Sequence, residues 1–159
     1  MSTTVYFDTT VVSYLTAKRS RNLQIAEQQQ MTHDWWNVQR INYELCCSQL
    51  TREEAALGDP DYARRRLELL QTMKQVPITD TALAIAEDLI KEGALPAKAE
   101  DDAVHIATAI VNQITYLLTW NCQHLANPHM QKKIAEVCAA HGLTPTIICT
   151  PKQLMELTP

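Results

Sequence analysis

Short apolar runs alternate along the chain with longer segments in which apolar residues recur at helical spacing. The apolar runs lie at 4–7, 43–50, 76–78, 114–120 and 147–149. Short runs bounded by turn residues are typical of buried strands, whereas the longer periodic segments indicate helices. Strands that alternate with helices predict an α/β fold whose parallel sheet is covered on both faces.

Capping and stop signals give the expected helix boundaries. The side chains of Asp8, Thr9 and Thr10 are suited to cap a first helix, and a second helix is expected at about 22–40. The next helix is predicted to begin at Thr51 and to end near Gly58. Further helices are expected at about 61–74, 80–91 and 127–141, together with a strongly apolar helix that Asp102 opens.

Length and composition suit one globular domain. The chain has 159 residues, of which 46% are hydrophobic and 20% are charged, and it contains no internal repeat or domain linker. We therefore expect a single domain spanning residues 1–159.

The formal net charge of −4 argues against a nucleic-acid-binding protein that acts through a global positive field. Any contact with nucleic acid must come from a local basic patch. The candidates are Lys18, Arg19, Arg21, Arg64, Arg65 and Arg66. Such runs are also typical of solvated helix faces.

The expected compartment is the cytoplasm. Five cysteines without C-x-x-C spacing suggest neither a zinc site nor a disulfide framework. The first residues show no charged leader before a long apolar segment, and no stretch reaches the roughly 18 apolar residues of a membrane span.

Three carboxylates and one amide stand where apolar segments begin or end. Asp8 follows the first apolar run, and Glu54 lies one helical turn beyond the second. Asp102 opens the apolar helix, and Asn121 follows the run that ends at Trp120. Ligands of an open parallel sheet bind outside the carboxyl ends of its strands, so these side chains are expected to meet at one edge.

Oxygen ligands without Cys or His partners favour Mg²⁺ or Mn²⁺ over zinc. One or two such ions at the predicted edge would support hydrolysis of a phosphodiester by a metal-bound water. Each acid also has a purely structural interpretation: Asp8 as a helix N-cap, and Glu54 and Asp102 as first-turn acids.

Four segments carry a family resemblance: VYFDTTVVSYL, SQLTREEAALGDP, KAEDDAVHIATA and YLLTWNCQHLAN. In order and spacing they resemble the motifs of PIN-domain ribonucleases, specifically the VapC-like toxins of type II toxin–antitoxin modules. The resemblance covers nearly the whole chain. It implies a three-layer α/β/α sandwich with a central parallel sheet of about four to five strands, and metal-dependent endonucleolytic cleavage of RNA. It also implies a cognate antitoxin and a homodimer.

Carried over by motif, the resemblance implies that Asp8, Glu54 and Asp102 are the catalytic, metal-binding acids. Glu53 and Asp101 are adjacent alternatives, although spacing within the motifs favours Glu54 and Asp102.

Asn121 is a fourth metal ligand in this interpretation, and it stands where many relatives carry an acid. An amide oxygen contributes no charge, so a second ion would be held more weakly. Thr9 or Thr10 is expected to orient a metal-bound water or a phosphate, unless it only caps the helix. His105 is expected either to support the acids or to be a packed core histidine.

Two other functions compete with the endoribonuclease. A PIN-like module that binds RNA or protein without cutting would explain the amide at Asn121 and the acidic net charge. A haloacid dehalogenase-like phosphatase would use Asp8 as its nucleophile, but it needs a second Asp where Thr10 stands.

Overall fold

The computed structural model describes residues 3–121 and 127–157. Its sheet contains five parallel strands: β1 (Thr3–Phe7), β2 (Tyr43–Cys47), β3 (Lys74–Gln75), β4 (Tyr116–Leu118) and β5 (Ile147–Cys149). The strand order is β3-β2-β1-β4-β5, which places β1 at the centre. The predicted α/β/α sandwich with a parallel sheet of four to five strands is confirmed.

Helices connect the strands, as parallel pairing requires. They are α1 (Thr9–Thr16), α2 (Leu23–Gln39), α3 (Gln49–Ala55), α4 (Pro60–Leu70), α5 (Asp80–Lys91), α6 (Glu100–Val111), α7 (Pro128–Ala140) and α8 (Pro151–Leu157), with short 3-10 helices at Arg40–Asn42 and Ala97–Ala99. Across the described residues, no helix is both long and apolar enough to cross a membrane.

The two faces of the sheet bury different side chains because successive strand residues point in opposite directions. On one face, Tyr6 of β1 packs in a cluster with residues of α5, α6 and α7. On the other face, Val5 and Phe7 pack in a cluster with residues of α1, α2, α4 and α8. Tyr6 is therefore buried beneath α6, which carries Asp102.

The predicted strand at 43–50 is too long. It ends at Cys47, and α3 begins at Gln49 rather than at Thr51. The backbone N–H of Ser48 donates to Thr51 Oγ1 at 3.4 Å, so a capping signal lies inside what reads as a continuous apolar run. Glu54 consequently lies in the last turn of α3, and its interpretation as a first-turn acid is wrong.

Other boundaries differ by a few residues. The helix predicted at 61–74 ends at Leu70, and β3 forms at Lys74–Gln75, just before the apolar run at 76–78. The run at 114–120 contributes only Tyr116–Leu118 to the sheet, and α8 was not predicted. The helix predicted at 80–91 and the strand at 147–149 are confirmed.

Candidate active site

The carboxyl ends of β1, β2 and β4 meet because these strands are parallel neighbours. Asp8 directly follows β1, and its backbone N–H donates to the carbonyl of Leu118, the last residue of β4, at 3.2 Å. Ser48 directly follows β2 and caps α3. The residues that directly follow these strands therefore lie at one edge of the sheet.

Asp8 is a buried carboxylate held by uncharged donors. It is 4% exposed and caps α1, as its structural interpretation predicted. Oδ1 accepts from the backbone N–H and the hydroxyl of Thr10 at 3.0 and 2.6 Å, and from the N–H of Val11 at 3.3 Å. Oδ2 accepts from the Thr119 hydroxyl at 2.5 Å. Burial raises the pKa of Asp8, and the hydrogen bonds offset that increase only in part.

Thr10 and Thr119 connect Asp8 to the segment that follows β4. Thr10 Oγ1 accepts from the backbone N–H of Trp120 at 3.0 Å, and Thr119 Oγ1 accepts from that of Asn121 at 2.9 Å. Sequence reasoning did not identify Thr119 as a partner of Asp8. The available signal was a hydroxyl near the end of the apolar run at 114–120, and such a hydroxyl is also a common capping or turn feature.

Glu54 is held differently, by a histidine and a hydroxyl. Its side chain is 27% exposed, and Oε1 lies 2.6 Å from both His105 Nε2 and Thr9 Oγ1. Burial raises the pKa of Glu54, but the hydrogen bond and charge of His105 and the Thr9 hydroxyl outweigh it, so the net shift is downward. Glu54 is therefore an ionised carboxylate at neutral pH.

His105 bridges Glu54 to the core. Its ring is 2% exposed, and its Nδ1 lies 2.6 Å from the Tyr6 hydroxyl. An ionised carboxylate only accepts hydrogen bonds, so Nε2 must carry the hydrogen that is donated to Glu54. Both predicted alternatives for His105 describe part of this geometry, because it is a buried core residue and also a direct partner of a predicted acid.

Tyr6 completes this set of contacts and was missed from the sequence. Its hydroxyl lies 2.7 Å from Ser48 Oγ and 3.3 Å from Thr51 Oγ1, in addition to His105. Burial raises the pKa of Tyr6, so the side chain remains a neutral phenol. A buried tyrosine needs a hydrogen-bond partner, which was the available signal, but the partner is 99 positions away.

Asp102 lies in the first turn of α6, as predicted, and contacts Asn121. Asn121 Nδ2 donates to Asp102 Oδ2 at 3.1 Å. The neighbouring acids Glu53 and Asp101 are exposed, whereas Glu54 and Asp102 are half-buried.

One set of contacts joins the four predicted residues. From Asp8 it passes through Thr119 to Asn121 and on to Asp102. Glu54 is tied to the same turn through Thr9, the residue after Asp8. The hydroxyls of Thr9 and Thr10 donate to these carboxylates, so in this arrangement they orient the acids.

The donor set is chemically suited to a hard divalent cation. Its carboxylate and amide oxygens are the ligands that Mg²⁺ and Mn²⁺ prefer. Asp8 is buried among neutral donors, and a cation would compensate its charge. Among residues 3–121 and 127–157, no three His, Cys, Asp or Glu side chains are grouped so that they could hold one ion. Asp8, Glu54 and Asp102 are thus linked by hydrogen bonds without being gathered around one point.

The fold and this polar edge define an α/β protein with acids at the carboxyl ends of a parallel sheet. The family model described as PIN domain matches residues 5–121. The chain belongs to the PIN-domain family, which confirms the resemblance inferred from the four motifs. The matched segment includes all four predicted site residues.

The fold is also found in a solved structure of low sequence identity. A chain in the crystal structure of VapBC2 from Rickettsia felis, bound to a DNA fragment from their promoter, aligns with a TM-score of 0.60. The alignment covers 92% of this chain and 97% of that chain at 12% sequence identity, so it shows a shared fold. A search of curated proteins found no match.

Proposed function

We propose that this protein is a Mg²⁺- or Mn²⁺-dependent endoribonuclease that hydrolyses phosphodiester bonds in RNA. The observation that carries the proposal is the set of contacts joining Asp8, Glu54, Asp102 and Asn121 at one edge of the sheet. Membership of the PIN-domain family supports a nuclease, because the family resemblance implies that chemistry for these positions.

The acids bind the cation in this proposal, and the surrounding side chains orient the acids. Asp8, Glu54 and Asp102 supply carboxylate oxygens, and Asn121 supplies an amide oxygen. A bound divalent ion lowers the pKa of a water and neutralises charge on the phosphate. Thr10 and Thr119 hold Asp8, while Thr9 and His105 hold Glu54.

Asn121 favours one tightly bound ion over two. Its amide donates to Asp102 at 3.1 Å and adds no negative charge to the site. A second cation would therefore be held more weakly than in a site with four acids.

The biological role proposed with this activity is that of the toxin in a type II toxin–antitoxin module, with a cognate antitoxin and a homodimeric assembly. The VapC-like fold supports this role. Inducible expression is expected to slow growth, and co-expression of a protein encoded beside it is expected to restore growth. Normal growth under induction would contradict the toxin role but not the nuclease activity.

Incubation of purified protein with RNA and Mn²⁺ tests the activity. Asp8→Asn and Asp102→Asn are expected to lower the cleavage rate by roughly 100-fold or more, because each removes a charged ligand without changing side-chain size. Asp101→Asn is the matched control, since this neighbouring acid is exposed and is expected to leave the rate unchanged. Equal cleavage by wild type, Asp8→Asn and Asp102→Asn would indicate a contaminating nuclease.

The second candidate is a PIN-like module that binds RNA or protein without cutting. It is favoured by the amide at Asn121 and by the lack of a three-ligand group among the described residues. Retention of RNA by the wild type in Mn²⁺, without any cleavage, would support this module over the endoribonuclease.

A further inference from the structure

An open groove of about 700 Å³ is lined in part by Glu54. The end of α1 and the loop after it form one side, through Ser13, Ala17 and Lys18. The turn from α3 to α4 and the face of α4 form the other, and they contribute Tyr62 and Arg66. One of the proposed catalytic acids therefore lines the groove.

Two separate basic segments of the sequence meet in this groove. Lys18 comes from the run at 18–21, and Arg66 comes from the run at 64–66. Because the net charge is −4, RNA affinity must arise from a local arrangement of cations. The fold creates such an arrangement beside Glu54.

The remaining arginines of the second run do not line the groove. Arg64 pairs with Asp61 and Glu68 at 2.8 and 3.0 Å, and Arg65 pairs with Asp61 at 3.5 Å. These exposed pairs fit the interpretation of a solvated helix face. Arg66 is thus distinguished from its two neighbours by position.

Both groove cations are held in place, Lys18 through the backbone around it and Arg66 through its guanidinium. The buried side chain of Gln29 donates to the carbonyl of Lys18 at 3.2 Å and accepts from the N–H of Ser20 at 2.9 Å. Arg66 donates to the carbonyls of Ala55 and Leu57 at 2.9 and 2.6 Å. A groove formed before binding loses less entropy when a ligand enters.

The acids of the groove have their own partners. Asp59 accepts from the N–H groups of Asp61 and Tyr62 at 2.9 and 3.3 Å, so its charge lies at the N-terminus of α4. Glu54 lies 2.6 Å from His105 Nε2. These contacts reduce the repulsion that a phosphate entering the groove would meet.

Tyr62 adds an aromatic surface. Its half-buried side chain lines the groove, and the guanidinium of Arg65 lies 5.0 Å from its ring centroid. Bases stack on such rings when they are unpaired, whereas the bases of a duplex are already stacked on each other. A cation pair with an aromatic ring therefore favours a single strand over a duplex.

We propose that this groove binds single-stranded RNA next to the scissile bond, with Lys18 and Arg66 contacting phosphates and Tyr62 contacting a base. The proposal rests on the endoribonuclease function, for which it supplies the path of the substrate. It also explains how an acidic protein retains RNA without a global positive field.

Fluorescence anisotropy with a labelled single-stranded RNA tests the groove. The Asp8→Asn background with Mg²⁺ prevents cleavage, and Lys18→Gln and Arg64→Gln are compared within it. Lys18→Gln is expected to weaken binding about threefold to tenfold and to lower the salt slope by roughly 0.7, the value for one phosphate contact on a single strand. Arg64→Gln removes the same charge from the exposed face of α4 and is expected to change neither quantity.

Tyr62→Ala is expected to weaken binding about fivefold or more while leaving the salt slope unchanged, because stacking is not ionic. A duplex of the same sequence is expected to bind more weakly than the single strand, and Tyr62→Ala should not affect it.

Two results would contradict RNA binding in the groove without contradicting the nuclease activity. One is cleavage by the wild type together with unchanged RNA binding by Lys18→Gln and Tyr62→Ala. The same conclusion would hold if these variants lost only the binding of a protein partner. The other is equal weakening by Lys18→Gln and Arg64→Gln, which would indicate diffuse attraction. Absence of both cleavage and RNA binding in the wild type would instead contradict the proposed function itself.

Discussion

Asp8 and Glu54 lie at the same edge of the sheet, but their surroundings are opposite in kind. Asp8 is 4% exposed, and all the hydrogen bonds described for it come from hydroxyls and backbone N–H groups. Glu54 is more exposed and lies 2.6 Å from an imidazole. The pKa is raised by burial at Asp8, whereas at Glu54 the contacts with His105 outweigh burial and lower it.

The difference shows two ways in which a protein holds an acid away from water. Hydroxyl and amide donors fix the position of Asp8, but they leave much of the free-energy cost of burying its charge uncompensated. At Glu54 a potential counter-ion is built into the core through His105 and Tyr6. We therefore expect a bound cation to compensate Asp8 most strongly, and the contacts of His105 to determine the orientation of Glu54.

Replacement of His105 is expected to have the largest effect, because it removes the partner that distinguishes Glu54 from Asp8. His105→Asn places an amide near the position of Nδ1 but removes the donor to Glu54, whereas His105→Gln places one near the position of Nε2. Mn²⁺ binding, measured by electron paramagnetic resonance, is expected to weaken by about 10- to 100-fold in His105→Asn. His105→Gln should recover part of that loss.

Urea unfolding of both His105 variants separates orientation from folding. A packing role alone would lower stability in both variants and leave Mn²⁺ affinity of the folded protein equal to that of the wild type. That outcome would remove His105 from the site.

The contrast between the acids also shows what the sequence can and cannot predict. The positions of Asp8 at a helix N-cap and of Asp102 in a first helical turn were predicted because each stands at a boundary of an apolar segment, which is a local signal. Strand alternation separates Tyr6 from Val5 and Phe7, but it does not identify the partner of Tyr6. His105 and Tyr6 are 99 positions apart, and their contact depends on how α6 packs on the sheet.

The local sequence pattern also predicted a wrong helix boundary where an apolar run contains a helix cap. The run from Leu45 to Leu50 is apolar enough for one strand, yet Ser48 within it caps α3. The strand therefore ends at Cys47, and α3 begins at Gln49, two residues before the prediction. Glu54 was predicted in the first turn of its helix but lies in the last turn, because the cap that sets the start of the helix lies inside the apolar run.

Asn121→Asp would add a carboxylate to the site, beside Asp102 of α6. It replaces an amide that donates to Asp102 at 3.1 Å with a second carboxylate. Without metal, repulsion between the two acids is expected to lower stability, whereas with Mn²⁺ the added charge is expected to raise affinity about tenfold. Calorimetric titration measures the affinity, and Asn42→Asp is the exposed control.

Unchanged Mn²⁺ affinity in Asn121→Asp would mean that position 121 does not face the ion. Loss of stability that is equal with and without Mn²⁺ would lead to the same conclusion.

The pH dependence of stability is expected to have opposite signs at the two acids when metal is removed with EDTA. Folding raises the pKa of Asp8 above its usual 3.8, so ionisation of Asp8 destabilises the protein as pH rises from that value. Folding lowers the pKa of Glu54 below its usual 4.5, so its stabilising contribution is present above that value and is lost as pH falls through the lower, folded pKa.

Two isosteric variants test these signs by denaturant unfolding between about pH 3 and pH 7, a range that extends below the usual pKa of 4.5 for Glu54. Relative to wild type, Asp8→Asn should become more stable as pH rises. Glu54→Gln should be less stable at about pH 7, by roughly 1.5–3 kcal/mol, the usual range for a hydrogen bond to a charged group. Parallel profiles for the two variants would show that the acids are not held in different ways.

Tyr6→Phe is expected to have the smallest effect, and it tests whether the contact between Tyr6 and His105 in the core contributes to the orientation of Glu54. The substitution keeps the buried ring but removes the hydroxyl that lies 2.6 Å from His105 Nδ1. Stability is expected to fall by about 1 kcal/mol, because a buried ring nitrogen loses its partner. Mn²⁺ affinity should fall far less than in His105→Asn, since the bond from Nε2 to Glu54 remains. Tyr62→Phe controls for loss of a phenol at the surface. If Tyr6→Phe weakens Mn²⁺ binding as much as His105→Asn does, then the phenol, acting through the ring, sets the orientation of Glu54.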